Sequence, residues 1–443
     1  LVVGSAAGSA ACKSSSSGGT ASSPLCTGTG RCIVFSPGES ESSIEAAFAE
    51  VKDGDTLVFD AGTYSFVNQL GLGTANNVSV VGAGPGKTIL DFSKQLAAED
   101  GLFAQSVQNL RFEGFTIKDA PGNGTKVLSV TGMTFRSLEV TWTAMDTSDG
   151  AYAIYPVQST DVLIENCTVS GASDSGIYVG QSQNIVVRNN TATLNVAGIE
   201  IENSFNADVY ENDSHDNTAG ILVFDLPGLQ QEGGHAVRIF DNQMVNNNTA
   251  SIAASDDIVS LVPAGTGFFV MANHDVEVFG NTISGNETVA AAIVSYAITQ
   301  MAFTDPVYYE WPSLVYLHDN TYANNGSMPT LYNQIGLLLN TGLSGYPEGH
   351  VPDVMWDGIA DPDAGTGPNP MQLCIQEPGA SAVCDMHFDK LDPNNPMVLA
   401  NMVCDAGPFN CTSPVLPPVT WTGLSAPDGG VPGLGGSGAG DGG

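Results

Sequence analysis

Basic side chains are scarce. Twelve Lys and Arg residues stand against 47 Asp and Glu, for a formal net charge of −35. Such a surface repels nucleic acid and anionic lipid, which excludes both as partners. Charge of either sign is also sparse, at 13% of residues, while hydrophobic residues make up 42%. That balance supports a packed core rather than a solvated polyelectrolyte. No apolar run reaches the roughly 18 residues that would span a bilayer. No Cys-x-x-Cys or Cys/His cluster suggests zinc or attached haem. Gly82-Ala83-Gly84-Pro85-Gly86-Lys87-Thr88 ends like a phosphate loop. It lacks the spacing and the following helix, and it runs on into a strand pattern.

Glycine is plentiful instead, at 52 residues, and part of it is periodic. Gly176-Ile177-Tyr178-Val179, Gly198-Ile199-Glu200-Ile201 and Gly220-Ile221-Leu222-Val223 begin 22 residues apart. So short a period marks a solenoid, in which one coil cannot bury its own apolar side. A second column fixes the register: Phe115, Leu138, Cys167, Asn190, Asn212, Asn242, Asn281 and Asn320. Three residues before each stand Phe112, Phe135, Ile164, Val187, Val209, Ile239, Val278 and Leu317. Five before stand Leu110, Met133, Val162, Ile185, Ala207, Val237, Val276 and Val315. Apolar positions two apart predict strands with one face inward. The reference Asn residues are expected to stack as an internal amide ladder.

Two steps exceed the period, 30 residues from Asn212 to Asn242 and 39 from Asn242 to Asn281. The surplus falls in residues 226–234 and 251–264 and is expected to form loops on one face. Residues 40–52 read as a short amphipathic helix with Ser and Glu capping signals. Gly54-Asp55-Thr56-Leu57-Val58-Phe59-Asp60-Ala61-Gly62 follows as turn, strand and turn. The expected layout is a signal remnant over 1–12, a tether and lead-in loop over 13–38, and a coil stack with its N-terminal cap over 39–328. A C-terminal cap over 329–412 and a disordered Gly/Pro-rich tail over 413–443 complete it.

Ser9-Ala10-Ala11-Cys12 resembles a bacterial lipobox, with Cys12 as the lipidated residue. The other reading is a low-complexity leader with an incidental cysteine. A lipid anchor would be the sole membrane attachment, at the outer membrane or surface of a Gram-negative cell. Cys26 and Cys32 bracket a Gly-rich loop, Cys374 and Cys384 a second, and Cys404 and Cys411 a third. Local pairing would give three disulfides, although sequence leaves the connectivity open. Cys167 sits in the core column.

Between the inward positions runs an outward column of Glu113, Arg136, Glu165 and Arg188. At about 4.8 Å between coils, alternating signs form opposite-charge pairs, which would occupy both arginines. Tyr210, Phe240, Phe279 and His318 continue the column and can stack. A second outward column offers Tyr155, Tyr178, Glu200 and Leu222. Glu202 stands two residues beyond Glu200, and Asn203 and Asp225 lie past the strand ends. Tyrosine rings cover apolar sugar faces, while carboxylates and amides take hydroxyls. Tyr155, Tyr178, Glu200, Glu202, Asn203 and Asp225 are therefore the candidate ligand-binding set. Glu200, Glu202 and Asp225 offer hard oxygen ligands for Ca²⁺. Asp174, Glu200 and Glu202 are the candidate catalytic carboxyls for a hydrolase. The bland reading is a hydrated acidic face.

The helix followed by Gly54-Asp55-Thr56-Leu57-Val58-Phe59 resembles the N-terminal cap of the pectate-lyase-like, right-handed parallel β-helix superfamily. The resemblance implies an all-β fold and leaves function open, since that fold hosts lyases, hydrolases, epimerases and adhesins. A closer resemblance rests on residues 150–159, 170–182, 197–204 and 220–229, including Ala153-Ile154-Tyr155-Pro156 and Ser173-Asp174-Ser175-Gly176. These strings are similar to a bacterial envelope family of β-helix proteins with lipoprotein leaders, commonly encoded beside a cytochrome-like protein. That resemblance brings no catalytic residues with it. The expected function is binding of a surface or extracellular polysaccharide; whether the chain also processes it stays open, and if it is an enzyme the expected class is a polysaccharide lyase or glycoside hydrolase. The alternative is a non-catalytic scaffold docking the cytochrome-like partner. No cofactor is required, with Ca²⁺ the one candidate.

Overall fold

A computed structural model describes residues 23–26, 29–391 and 401–420. The chain winds as a right-handed parallel β-helix. Its strands fall into three parallel sheets of 12, 10 and 11 strands among the described residues. They are called here the first, second and third sheets, in that order. One coil shows the pattern: Ser175–Gly180 lies in the third sheet, Gln183–Arg188 in the first and Thr191–Thr193 in the second. Two- or three-residue turns join them, and left-handed residues such as Gln181, Asn189 and Leu194 make the corners. Asn and Asp tolerate that conformation best among non-glycine residues.

The register is the one the repeat predicts. Ile185 pairs with Ala207, Val187 with Val209, and Arg188 with Tyr210. The alternate inward residues merge into one continuous core from Phe35 to Phe409. The reference asparagines form a buried ladder. The Asn190 side-chain oxygen accepts the Cys167 N–H at 2.9 Å. The Asn190 amide donates to Ile164 O at 3.0 Å and to Asn212 Oδ1 at 2.9 Å. Asn212, Asn242 and Asn281 repeat the arrangement. A second ladder of Asn195, Asn217, Asn247, Asn286 and Asn325 runs along the next corner. It was equally visible in the spacing, five residues after the first. Each amide satisfies corner backbone groups that the parallel sheets leave over.

A helix, Glu41–Ala49, closes the N-terminal end with Ile44 and Phe48 buried, and Ser40 caps it through the Ser43 N–H. At the other end the coils continue past the expected boundary at residue 328. Val354–Trp356 and Val383–Asp385 extend the third sheet, and Cys374–Gln376 extends the first. This geometry corrects the local disulfide pairing. Cys374 and Cys384 sit in different sheets, and each bonds another cysteine. Cys374 bonds Cys411 instead, and Cys384 bonds Cys404. Cys26 pairs with Cys32 as expected. Cys167 is a free, buried thiol that burial pushes up to about 12. The tail expectation also shifts, because residues 413–420 lie against the first sheet. The leader with Cys12, most of the tether, and residues 421–443 are outside the described residues.

Candidate functional site

The charged column of the first sheet is spent on structure. Glu165 accepts from Arg136 Nε at 2.5 Å and from Arg188 Nη2 at 2.7 Å. Burial would raise its carboxyl, but the hydrogen bonds from Arg188 and Arg136 hold it below the usual range. The column continues as stacked rings, with Tyr210 on Phe240 at 4.8 Å, Phe240 on Phe279 at 4.9 Å and Phe279 on His318 at 5.1 Å. Neither arginine is available as a base.

The third sheet carries the unexplained chemistry. Register places Phe103 beside Lys126 and Lys126 beside Tyr155. Tyr178 lies beside Glu200, and Glu200 beside Leu222. Tyr152, Tyr155 and Tyr178 form a cluster with centroids 4.4, 4.6 and 5.0 Å apart. Lys126 Nζ sits 5.2 Å from the Tyr155 ring centroid. Tyr178 donates its hydroxyl to Glu202 Oε1 at 2.6 Å.

Proton counting constrains the carboxyls. Ser175 Oγ lies 2.9 Å from Asp174 Oδ1 and 2.5 Å from Glu200 Oε2. A hydroxyl has one proton to give, so the contact with both acids is best satisfied when one of them is protonated. Burial, then the charges of Asp174 and Glu202, push Glu200 well above the carboxylate range, which favours its protonated form. Burial also pushes Asp174 up to about 7. Glu202 rises to about 7 for the same reason, tempered by the Tyr178 hydrogen bond. Groups poised there can give or take a proton at neutral pH.

The open face expected from the alternation is not what forms. Tyr178 is 4% exposed, Glu200 2% and Glu202 7%. The two insertions and a later helix account for this. Leu222, Phe224 and Phe269 pack under Val259 and Val262 of the 251–264 insertion and under Leu339 of the helix Gln334–Thr341. Asp257 of that insertion comes near enough to raise Asp174. On the other edge, the 226–234 loop folds back so that the Gln230 N–H reaches Gln181 Oε1 at 3.1 Å. Phe103, Lys126, Tyr152 and Tyr155 stay half-buried at the mouth of this roofed face.

Asn203 and Asp225 turn out to hold the loop. Asn203 donates to Leu226 O and Gln231 O and accepts the Leu226 N–H. Asp225 accepts the N–H groups of Gly233 and Gly234. Burial pushes the Asp225 carboxyl up to about 7 against those bonds. Among the described residues no three His, Cys, Asp or Glu side chains are grouped to hold a metal ion. Asp225 faces the loop amides, while Glu200 and Glu202 face Ser175 and Tyr178. Of the sequence candidates, Tyr155, Tyr178, Asp174, Glu200 and Glu202 come together. Tyr152, Ser175 and Lys126 were missed. Lys126 was within reach, since the 29-residue step from Leu138 to Cys167 leads from Tyr155 back to it.

The family profile described as "Right handed beta helix region" matches residues 100–305. No curated protein matches the chain. Among solved structures, a polygalacturonase from Erwinia carotovora ssp. carotovora is 12% identical, with 67% of this chain and 93% of that one covered and a TM-score of 0.48. An alginate lyase from Paenibacillus sp. is 16% identical, covering 66% and 96%, with a TM-score of 0.44. An A-module of a mannuronan C-5 epimerase from Azotobacter vinelandii is 17% identical, covering 65% and 84%, with a TM-score of 0.41. Over residues 100–305 the chain is similar to right-handed β-helix proteins.

Proposed function

We propose that this chain is an exported protein whose third-sheet face binds a polysaccharide across Phe103, Lys126, Tyr152 and Tyr155. The observation that carries the reading is the tyrosine cluster at the mouth of the roofed face. It presents aromatic surface and hydroxyls beside buried acids, in a row set by the coil spacing. Sugar rings offer matching apolar faces and hydroxyls. A net charge of −35 disfavours a polyuronate and favours an uncharged or sparsely charged glycan. Three disulfides support export, since such bonds persist in oxidising compartments. A lipid anchor at Cys12 would hold the protein at the envelope surface.

Binding is favoured over cleavage. A glycosidase sets two carboxyls on either side of the scissile bond, at least about 5 Å apart. Here Asp174 and Glu200 share one serine hydroxyl and are both buried, so neither is presented on the open side of a bound chain. The test is affinity electrophoresis against neutral, sulfated and uronate polysaccharides, with wild type and Tyr155→Ala. Retardation by a neutral glycan, weakened at least about tenfold (near 1.4 kcal/mol) in the variant, is expected. Equal retardation of both proteins, or none by any glycan, would sink the reading.

A further inference from the structure

The outer face of the first sheet holds buried charges that the glycan reading does not use. Asp208, Arg238 and Glu277 sit on consecutive strands in one register column. All three point away from the core, yet they are 5%, 6% and 1% exposed. Arg238 donates to both oxygens of Asp208 at 3.1 and 3.2 Å. Its guanidinium lies 4.8 Å from the Phe240 centroid. What lies over them is the end of the described chain. The Leu416 N–H donates to Glu277 Oε2 at 2.9 Å, and the Val419 N–H donates to Asp208 Oδ2 at 3.1 Å.

The spacing of these two contacts requires an extended conformation, and the burial period makes it polyproline II. Three residues separate Leu416 from Val419, and two strand steps separate Glu277 from Asp208. Three residues of polyproline II helix rise about 9.3 Å, and two coil steps span about 9.6 Å. The threefold period also appears in burial. Ser413, Leu416 and Val419 are half-buried, while the residues between them are exposed. Pro414, Pro417 and Pro418 supply the stiffness and have no N–H to lose. The Cys374–Cys411 disulfide sets the starting point at the last strand of this sheet.

We propose that this face is a docking site for a proline-rich peptide in the polyproline II conformation, which the chain fills with its own residues 412–420. The site reads one inward residue in three, at every second coil. Its acceptors are Glu277 and Asp208, with Arg238 between them as the countercharge. A proline-rich segment of another protein that matches this period would compete with the resident strap for the same groove.

Hydrogen exchange on the full chain tests the occupied state without any substitution. The Leu416 and Val419 amides should be protected relative to Val415, and Asp208→Ala with Glu277→Ala, which removes both acceptors, should remove that protection. The docking property is tested with a fluorescent synthetic peptide of residues 412–420. Full-length Leu416→Pro/Val419→Pro lacks both donors and should leave the groove open. The peptide should bind it at least tenfold more tightly than wild type, and adding Asp208→Ala/Glu277→Ala should abolish binding. Unprotected Leu416 and Val419 amides in wild type would overturn the proposal. So would peptide binding that is equal for wild type and variant, or absent from both.

Discussion

Stability that falls as pH rises through neutrality is the sharpest consequence of the buried acids, and Glu202→Gln removes one of them together with the effect of its charge on Glu200. In the folded chain the Glu202 carboxyl lies near 7, raised from an ordinary 4.5 by burial first. The folded state therefore binds more protons than the unfolded state between those values. The associated stability is complete below about 4.5 and is lost as pH rises through about 7. A shift of that size corresponds to roughly 3 kcal/mol at this position. Asp174, Asp225, Asp357 and Glu377 also rise to about 7 and add slope in the same direction. Asp55 and Glu165, held low by arginines, contribute in the opposite sense only below the ordinary carboxylate range. In Glu202→Gln the Tyr178 hydroxyl still finds an oxygen, and no charge forms at any pH. Urea midpoints at pH 5, 6, 7 and 8 make the measurement. Wild type should lose stability from pH 5 to 8. The variant should lose less, with a gain approaching 3 kcal/mol at pH 8 and little change at pH 5. A wild-type midpoint that stays level or rises over this range would refute the reasoning.

Three other outcomes follow. Asn242→Ala removes the acceptor of the Asn212 N–H and the donor to Val209 O, leaving buried backbone groups unpaired. Thermal unfolding should show a loss of about 3 kcal/mol or more. Cys411→Ser opens a link across 37 residues and should cost roughly 4 kcal/mol in denaturant unfolding. Arg188→Ala leaves Glu165 with Arg136 alone and should cost about 2 kcal/mol of stability. Glycan retardation should be unchanged by it, which separates a structural arginine from a functional one.

The fold was legible because a parallel β-helix writes its geometry directly into spacing. Ile185, Ala207 and Val237 share a column in the sequence and a register in the sheet. The charge pairs and ring stack followed by the same counting. Exposure did not follow. Alternation shows which way Glu200 points, but not that residues 251–264 and the helix Gln334–Thr341 come to lie over its neighbours. Those segments pack by tertiary contact, which no local period encodes. Asn203 and Asp225 were read as ligand groups for the same reason, since a polar residue at a strand end looks alike whether it meets a sugar or its own loop. The disulfides depended on residues 354–385 continuing the coils, where the repeat is too degraded to count.

The two asparagine ladders also have a direction, and with it a beginning and an end. Each starts where an Asn oxygen receives the N–H of a residue with no side-chain amide, Cys167 on one and Ala172 on the other. Each stops on an acid, with Asn320 donating to Glu377 and Asn325 to Asp353. Every rung between is interchangeable, because each offers the same donor upward and acceptor downward. The length of the molecule is thus a count rather than a shape. A coil inserted or removed between these ends would move the two halves by about 4.8 Å and leave both terminations intact. Such a chain can change its reach across a long polymer in unit steps without redesigning either cap.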